Sequence, residues 1–282
     1  MNFEKIGDSL EKTSGENLET NFSQLEKNVE VEKPDSAVAI ENASDFIKNL
    51  ENVESNFPYD KTEINPVMKP EIRNDVPGFE GRDVLVCGNP FEIGEQLNHN
   101  QGDNSYGAEG NCGLVSTSNV LNLVGRESID EEKITGYAIA NDECGYDAFS
   151  PPEYQGGTNL DNMQNILDDF GVKTEVIKSF DDQSDIETIA KRLEEGCVGI
   201  MTVNAGELWN EPSAYGDGFA NHAVTLTGTV RDGETGELQA LTICDSGNGD
   251  ACHVVSIEKL EACYEYTPNA AVILSKEPMR EI

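Results

Sequence analysis

Two short apolar stretches near the C-terminal end of the chain decide its fold. The sequence reads HAVTLTGTV over residues 222–230 and LQALTIC over residues 238–244. Both runs are typical of β-strands, and DGETG at residues 232–236 between them predicts a hairpin turn. Neighbouring antiparallel strands run in opposite directions. The start of the first strand and the end of the second therefore share one sheet edge, and we expect His222 and Asp245 to lie close together there.

The chain before this hairpin alternates helix and strand patterns. Ser128, Thr158 and Ser184 each precede an apolar helical period, which predicts helices toward residue 140, over residues 159–170 and from residue 186 to about residue 193. Strands are predicted over residues 172–177, 198–203 and 270–274. Helices that come first and an antiparallel sheet that follows define an α+β domain.

The charge of the chain excludes several classes of protein. Its 282 residues include 54 Asp and Glu but only 19 Lys and Arg, a formal net charge of −35. Such a chain repels phosphate backbones, so we expect no nucleic-acid partner. No apolar stretch is long enough to cross a bilayer, so no membrane insertion is expected. The N-terminus lacks the pattern of a signal peptide, which leaves a cytoplasmic location and export without a recognisable signal peptide both open.

Composition divides the chain near residue 80. Residues 1–80 contain no Cys, His or Trp, whereas residues 81–282 contain all seven Cys and all three His. Two helical stripes, at residues 18–29 and 40–50, are followed by a Pro-rich linker over residues 58–77. We therefore expect residues 1–80 to be an acidic, helical or partly disordered arm and residues 81–282 to be the folded domain. The arm could be a pro-segment, a docking element for a partner or export machinery, or only an acidic tail.

Three side chains of the second part have the chemistry of a nucleophilic site. Cys112 lies at the predicted start of a helix over residues 114–124, where unpaired N–H groups and the helix dipole favour a thiolate. Gly113 would let a substrate backbone approach closely. An imidazole from His222 would keep the sulfur deprotonated, and a carboxylate from Asp245 would orient that imidazole. Each residue alone has an ordinary structural interpretation: a buried thiol, a structural histidine and a turn carboxylate.

The order of these residues resembles that of the papain-like cysteine peptidases. Asn221-His222-Ala223-Val224 with Gly228 is similar to their histidine motif. Asp245-Ser246-Gly247 stands where plant and lysosomal members have Asn-Ser-Trp-Gly, so Asp replaces Asn and the Trp is missing. This departure points toward the bacterial, bacteriocin-processing branch that cleaves double-glycine leaders. There, a Gly-Thr segment such as Gly157-Thr158 opens a second helix.

The resemblance implies a fold and an activity for about residues 95–275. A helical part carrying Cys112 would pack on an antiparallel sheet carrying His222 and Asp245. The protein would hydrolyse peptide bonds of a peptide or protein substrate through a thioester on Cys112. Gln101 would help to stabilise the oxyanion, with Gln96 as a weaker candidate. Gly113 and Gly157 would bind the substrate backbone.

Other interpretations stay open at this point. The same thiol could act as a deamidase, transglutaminase or acyltransferase, as in bacterial effectors or toxins, or the domain could bind peptides without catalysis. We expect no cofactor. The cysteines contain no Cys-x-x-Cys pair, so zinc is not supported, although Asp250, Cys252 and His253 are near one another. The odd number of cysteines does not decide whether disulfides form.

Overall fold

A computed structural model describes residues 70–125, 128–147, 149–181, 184–215 and 218–280 of the chain. The two helical stripes predicted for residues 18–29 and 40–50 lie outside the described residues. The described part combines helices with one antiparallel sheet, which confirms the expected α+β class.

The sheet has eight strands in the described residues. All its pairings are antiparallel, and the path β1-β2-β5-β4-β8-β3 is joined by β6, which pairs with β5, and by β7, which pairs with β6. The strands are β1 (Glu71–Arg73), β2 (Val84–Cys87), β3 (Thr174–Lys178), β4 (Gly199–Val203), β5 (His222–Asp232), β6 (Leu238–Asp245), β7 (Asp250–Ser256) and β8 (Ala271–Ser275).

Most helices precede or interrupt the sheet in the sequence. They are α1 (Pro90–Gly94), α2 (Cys112–Leu123), α3 (Glu131–Ala140), α4 (Leu160–Asp169), α5 (Ile186–Glu194), α6 (Ala205–Leu208), α7 (Pro212–Tyr215) and α8 (Ile257–Leu260). A 3-10 turn covers Pro152–Tyr154, and a π-helix, Glu261–Glu265, continues α8. Within the described ranges, none of the helices has the length and apolar composition that a bilayer span requires.

The sheet is covered by helices on both faces. Ile200 of β4 and Ile273 of β8 belong to an apolar cluster with residues of α2, α3 and α4. The next residue of β4, Met201, belongs to a second cluster with Ile189 of α5. Because successive side chains of a strand point to opposite faces, one strand contributes to both cores.

Strand β5 is the centre of the sheet. Its first half pairs with β4, its second half pairs with β2, and β6 lies along its other edge. The register of β5 against β6 shifts between Leu226 and Gly228. A Cβ atom at Gly228 would collide with the carbonyl oxygen of Cys87 at the end of β2, so glycine is required for this close approach.

The structure corrects several boundaries. Asp130 rather than Ser128 caps α3, because its carboxylate accepts a hydrogen bond from the Lys133 N–H at 2.9 Å. Similarly, α5 is capped by Asp185 and not by Ser184. The patterns also missed β1, β2 and β7, and strands β3 and β4 alternate with helices instead of following them all. Since β1 pairs with β2, the sheet begins at Glu71, inside the range expected to be arm and linker.

The two-sided packing predicts different costs for the same substitution at two sites. Ile166 of α4 is 0% exposed, whereas Ile72 of β1 is 72% exposed. Ile166→Ala should lower the free energy of unfolding by about 2–5 kcal/mol, because it removes apolar contacts and leaves a cavity. Ile72→Ala should change it by no more than about 0.5 kcal/mol. Chemical denaturation measures both, and equal costs would contradict the described core.

Candidate active site

Cys112 is the first residue of α2, and two polar contacts align this helix with the start of β5. The Ser116 hydroxyl donates to the Ala223 carbonyl oxygen at 3.2 Å. The Asn119 side-chain amide donates to the Thr225 hydroxyl at 3.1 Å. Both helix residues are buried. Since positions 112, 116 and 119 lie on one helix face, these contacts direct Cys112 toward the residue before Ala223.

That residue is His222, and its partner is Asp245. His222 begins β5 and Asp245 ends β6, so the hairpin brings both to the same sheet edge, as predicted. His222 Nε2 lies 2.7 Å from Asp245 Oδ1. His222 is 6% exposed and Asp245 is 0% exposed, so their hydrogen bond is shielded from water.

The ionisation of Cys112 is set by this pair. Burial alone would raise the pKa of the Cys112 thiol, but the charge of His222 and its hydrogen bond to the sulfur lower it. Hydrogen bonds from the backbone of Ala223 and Gly113 act in the same direction, and the net pKa lies below the usual value of a cysteine. The residue as a whole is partly exposed.

The imidazole and the carboxylate complete an ion-paired set. Burial would lower the pKa of His222, but the Cys112 thiolate and the Asp245 carboxylate raise it to about 10. Burial would raise the pKa of Asp245, but hydrogen bonds and the charge of His222 hold it below its usual range. An ionised carboxylate only accepts hydrogen bonds, so Nε2–H donates to it. Nδ1 is then the ring nitrogen left for the sulfur of Cys112.

Trp209 is part of this site, although no local pattern in the sequence predicts its place there. Its indole N–H donates to Asp245 Oδ2 at 2.8 Å, and its ring lies 5.0 Å from the His222 ring between centroids. The turn after Asp245 contains no tryptophan, but Trp209, at the end of α6, brings an indole to this carboxylate. The available signal was that the chain has only one Trp, 13 residues before His222.

Three donors share the Asp245 carboxylate. His222 Nε2 and the Gly247 N–H, at 3.0 Å, both bond Oδ1, and the Trp209 indole bonds Oδ2. An asparagine would place its own NH₂ group against one of these donors, so a carboxylate is required. Gly247 is required as well, because an added Cβ would lie 2.6 Å from the Trp209 ring and 2.9 Å from His222 Cε1.

A second segment runs beside the start of α2. A Cβ atom at Gly156 would lie 2.7 Å from Asn111 Cβ, and one at Gly113 would collide with the Thr158 hydroxyl. Gly156 thus lies against Asn111, and Thr158 lies against Gly113. Gly157, which comes between Gly156 and Thr158, therefore lies beside Cys112, which comes between Asn111 and Gly113. It is exposed, with open space where a side chain would be.

Packing explains why position 113 is a glycine, and the close approach of a substrate backbone expected there stays a prediction. Gly113 is buried, and the position that a Cβ would occupy is filled by Thr158. The glycine is required by packing within the protein, whereas the open space expected for a substrate is at Gly157.

Gln101 is connected to the site through its neighbours. Its backbone N–H donates to the Ser246 carbonyl oxygen at 3.1 Å, and its Oε1 accepts from the Ser246 hydroxyl at 3.2 Å. Its side-chain amide donates to the Glu109 carbonyl oxygen at 2.7 Å. One amide hydrogen is thus used to close the loop over residues 101–109. Gln96, the weaker candidate, is exposed and donates to the Glu92 carbonyl oxygen.

Other thiols differ from Cys112 in ionisation. Burial raises the pKa of Cys87, and it raises the pKa of Cys144 to about 11 and those of Cys244, Cys252 and Cys263 to about 12. In the part of the chain that the structure describes, no group of three or more His, Cys, Asp or Glu could hold a metal ion. Asp250, Cys252 and His253 therefore do not form such a group.

Comparisons with known proteins add no relative. Neither a comparison with models of protein families nor a search of curated proteins finds a match to this chain. The chemistry of the site has to be inferred from its own geometry.

The shared carboxylate predicts a coupled effect between Asp245 and Trp209. Asp245→Asn should lower the free energy of unfolding by about 1–3 kcal/mol, because an NH₂ group faces a buried donor. Adding Trp209→Phe removes the indole donor. The asparagine oxygen can then face His222, and the asparagine NH₂ group can face the phenyl ring at position 209. The double variant should then be more stable than Asp245→Asn alone.

Denaturation of the four members of this double-mutant cycle measures the coupling. The rate of Cys112 alkylation near neutral pH provides a second readout. It should fall in Asp245→Asn and recover in the double variant, whereas a general loss of packing in the double variant would not produce a recovery. Additive effects of the two substitutions would contradict the proposed sharing of the carboxylate.

Proposed function

We propose that the protein is a papain-like cysteine peptidase with Cys112 as nucleophile, His222 as base and acid, and Asp245 as the residue that orients His222. The observation that carries the proposal is the buried set in which His222 lies 2.7 Å from the Asp245 carboxylate and also bonds the sulfur of Cys112. The pKa of the thiol is lowered and that of the imidazole is raised, as this arrangement requires. Both shifts favour a thiolate–imidazolium pair, which is the activated form of a cysteine nucleophile.

The arrangement supports a two-step reaction. The Cys112 thiolate attacks the carbonyl carbon of the scissile peptide bond, and the C–N bond breaks as His222 gives its Nδ1 proton to the leaving amine. A thioester on Cys112 remains. His222 then removes a proton from water, the resulting hydroxide attacks the thioester, and the acid product leaves as the thiol is released. Asp245 stays ionised and keeps the ring in the orientation that both transfers need.

Two further groups support the binding of a peptide. The first-turn N–H groups of α2 lack intrahelical partners, so the Cys112 N–H can stabilise the developing oxyanion. The Asn111 side chain does not cap these groups: its oxygen has no hydrogen-bond partner among the described residues, while its amide nitrogen donates to Glu131 and Thr135. Gly157 offers an exposed backbone beside the sulfur. In this proposal, Gln101 supplies its remaining amide hydrogen to the oxyanion.

The pH dependence of alkylation tests the ion pair. Iodoacetamide reacts with thiolates, so the midpoint of Cys112 labelling should lie below about 8.5, the usual pKa of cysteine, because its pKa is lowered. Cys144 is the internal control, since it is also partly exposed but its pKa is raised to about 11. His222→Ala should move the Cys112 profile to higher pH. Peptide mapping by mass spectrometry measures both sites, and equal profiles for the two thiols would argue against an activated nucleophile and for a module that only binds peptides.

Cleavage itself requires a separate test. The wild-type chain and Cys112→Ala should be incubated with a peptide library, and new termini read by mass spectrometry. We expect cleavage by the wild type and its loss in the variant, since no other group replaces the sulfur. A gain of about 1 Da on glutamine without new termini would indicate a deamidase instead. Labelling of Cys112 with neither product would reject the peptidase assignment.

A further inference from the structure

The nucleophile side of the site carries a surface of exposed aromatic rings. The loop over residues 145–147 and 149–157, here called the aromatic loop, presents Phe149, Tyr154 and Tyr146, which are 88%, 72% and 40% exposed. The loop is held in place from within: the buried Gln155 side chain accepts from the Asp147 N–H at 2.8 Å and donates to the Ser150 carbonyl oxygen at 2.8 Å. The rings are therefore presented by an anchored loop.

Backbone contacts connect the aromatic loop to the nucleophile. The Gln155 carbonyl oxygen accepts from the Gly110 N–H at 2.9 Å, two residues before Cys112. Gly145 and Gly157 bond each other at the two ends of the loop, and Gly157 lies beside Cys112. Tyr154 is three residues from Gly157, a chain distance of at most roughly 10 Å. A peptide that passes Cys112 could therefore reach these rings.

The same region is strongly acidic. Residues 101–125 and 134–172, which contain the start of α2 and the aromatic loop, hold two and seven Asp or Glu, respectively, but no Lys or Arg. Glu109, Asp147 and Glu153 are exposed. Glu109 lies next to the aromatic loop, because its N–H donates to the Pro152 carbonyl oxygen at 3.0 Å. Aromatic faces and carboxylates both attract cations, and the guanidinium group of arginine also stacks on rings.

We propose that the aromatic loop and its carboxylates bind a basic, arginine- or lysine-containing segment of the peptide substrate. The surface would hold cationic side chains over Phe149 and Tyr154 while the neighbouring backbone lies along Gly157. Charge argues against the chain's own N-terminal arm as the occupant, because residues 1–80 carry 18 Asp and Glu against 8 Lys and Arg. The inference rests on the proposed function and specifies its substrate class.

Binding can be measured without catalysis. The full chain with Cys112→Ala should bind a short peptide of alternating Arg and Gly, but not the same peptide with Glu in place of Arg. Removing both rings, by Phe149→Ala with Tyr154→Ala, should weaken binding about five-fold or more, since each exposed cation–π contact contributes modestly. Glu109→Gln with Glu153→Gln should weaken it too and should reduce its salt dependence.

Matched control variants make the test specific, because a chain of charge −35 attracts any basic peptide. Ile72 and Glu71 are exposed residues of β1. Strand β1 pairs with β2, and β2 pairs with the C-terminal half of β5, away from His222. In this pairing Leu85 of β2 lies opposite Arg231 of β5. Arg231 is nine residues from His222, which is roughly 30 Å along a strand. Ile72→Ala and Glu71→Gln should change binding by less than two-fold, about the limit of what distant surface substitutions do.

The outcomes separate this inference from the proposed function. Circular dichroism and thermal unfolding should first show that each variant is folded. Equal weakening by the loop and control variants, no effect of the loop variants, or equal binding of the acidic peptide would each overturn the inference. Absence of any binding to the basic peptide would overturn it as well. The proposed function is judged independently, by whether cleavage and low-pH alkylation depend on Cys112.

Discussion

The hydrogen bonds to the Asp245 carboxylate determine the geometry of the whole candidate site. A fully buried carboxylate is costly unless it is paired and bonded, and here His222, Trp209 and the Gly247 N–H supply donors to it. These bonds keep Asp245 ionised. An ionised Asp245 fixes which ring nitrogen of His222 carries the proton toward it, and the other nitrogen then faces Cys112. The lowered pKa of the thiol follows from that orientation.

The fold brings these groups together through one long strand. His222 begins β5, and β6 returns along it to place Asp245 at the same edge. Helix α2 is held against the same strand by Ser116 and Asn119, two of its five polar residues. Removing a buried hydrogen bond of this kind leaves a partner unsatisfied. These two contacts therefore orient the helix as well as stabilise it.

Local patterns predicted some parts of this arrangement and missed others for physical reasons. The spacing of His222 and Asp245 around a hairpin turn was sufficient to predict their proximity, because antiparallel register is local in sequence. The role of Trp209 was not predictable in this way, since its contact with Asp245 spans 36 residues and depends on where α6 ends. The packing of Thr158 against Gly113 was not predictable either, because a missing side chain does not reveal what fills its space. Short strands such as β1 have too few residues to show an alternation.

The sequence resembles the Asn-Ser-Trp-Gly motif of plant and lysosomal peptidases at residues 245–247, and its difference from that motif can be understood together with Trp209. In that motif, an asparagine orients the histidine and a tryptophan follows in the same turn. Here the indole reaches the orienting residue from a different segment and donates a hydrogen bond to it. Because an amide has only one oxygen, it cannot accept from the indole on one side and from His222 on the other. A carboxylate can accept both hydrogen bonds. The Asp at position 245 is therefore explained by the position of Trp209, because one side chain must accept from the indole and from His222.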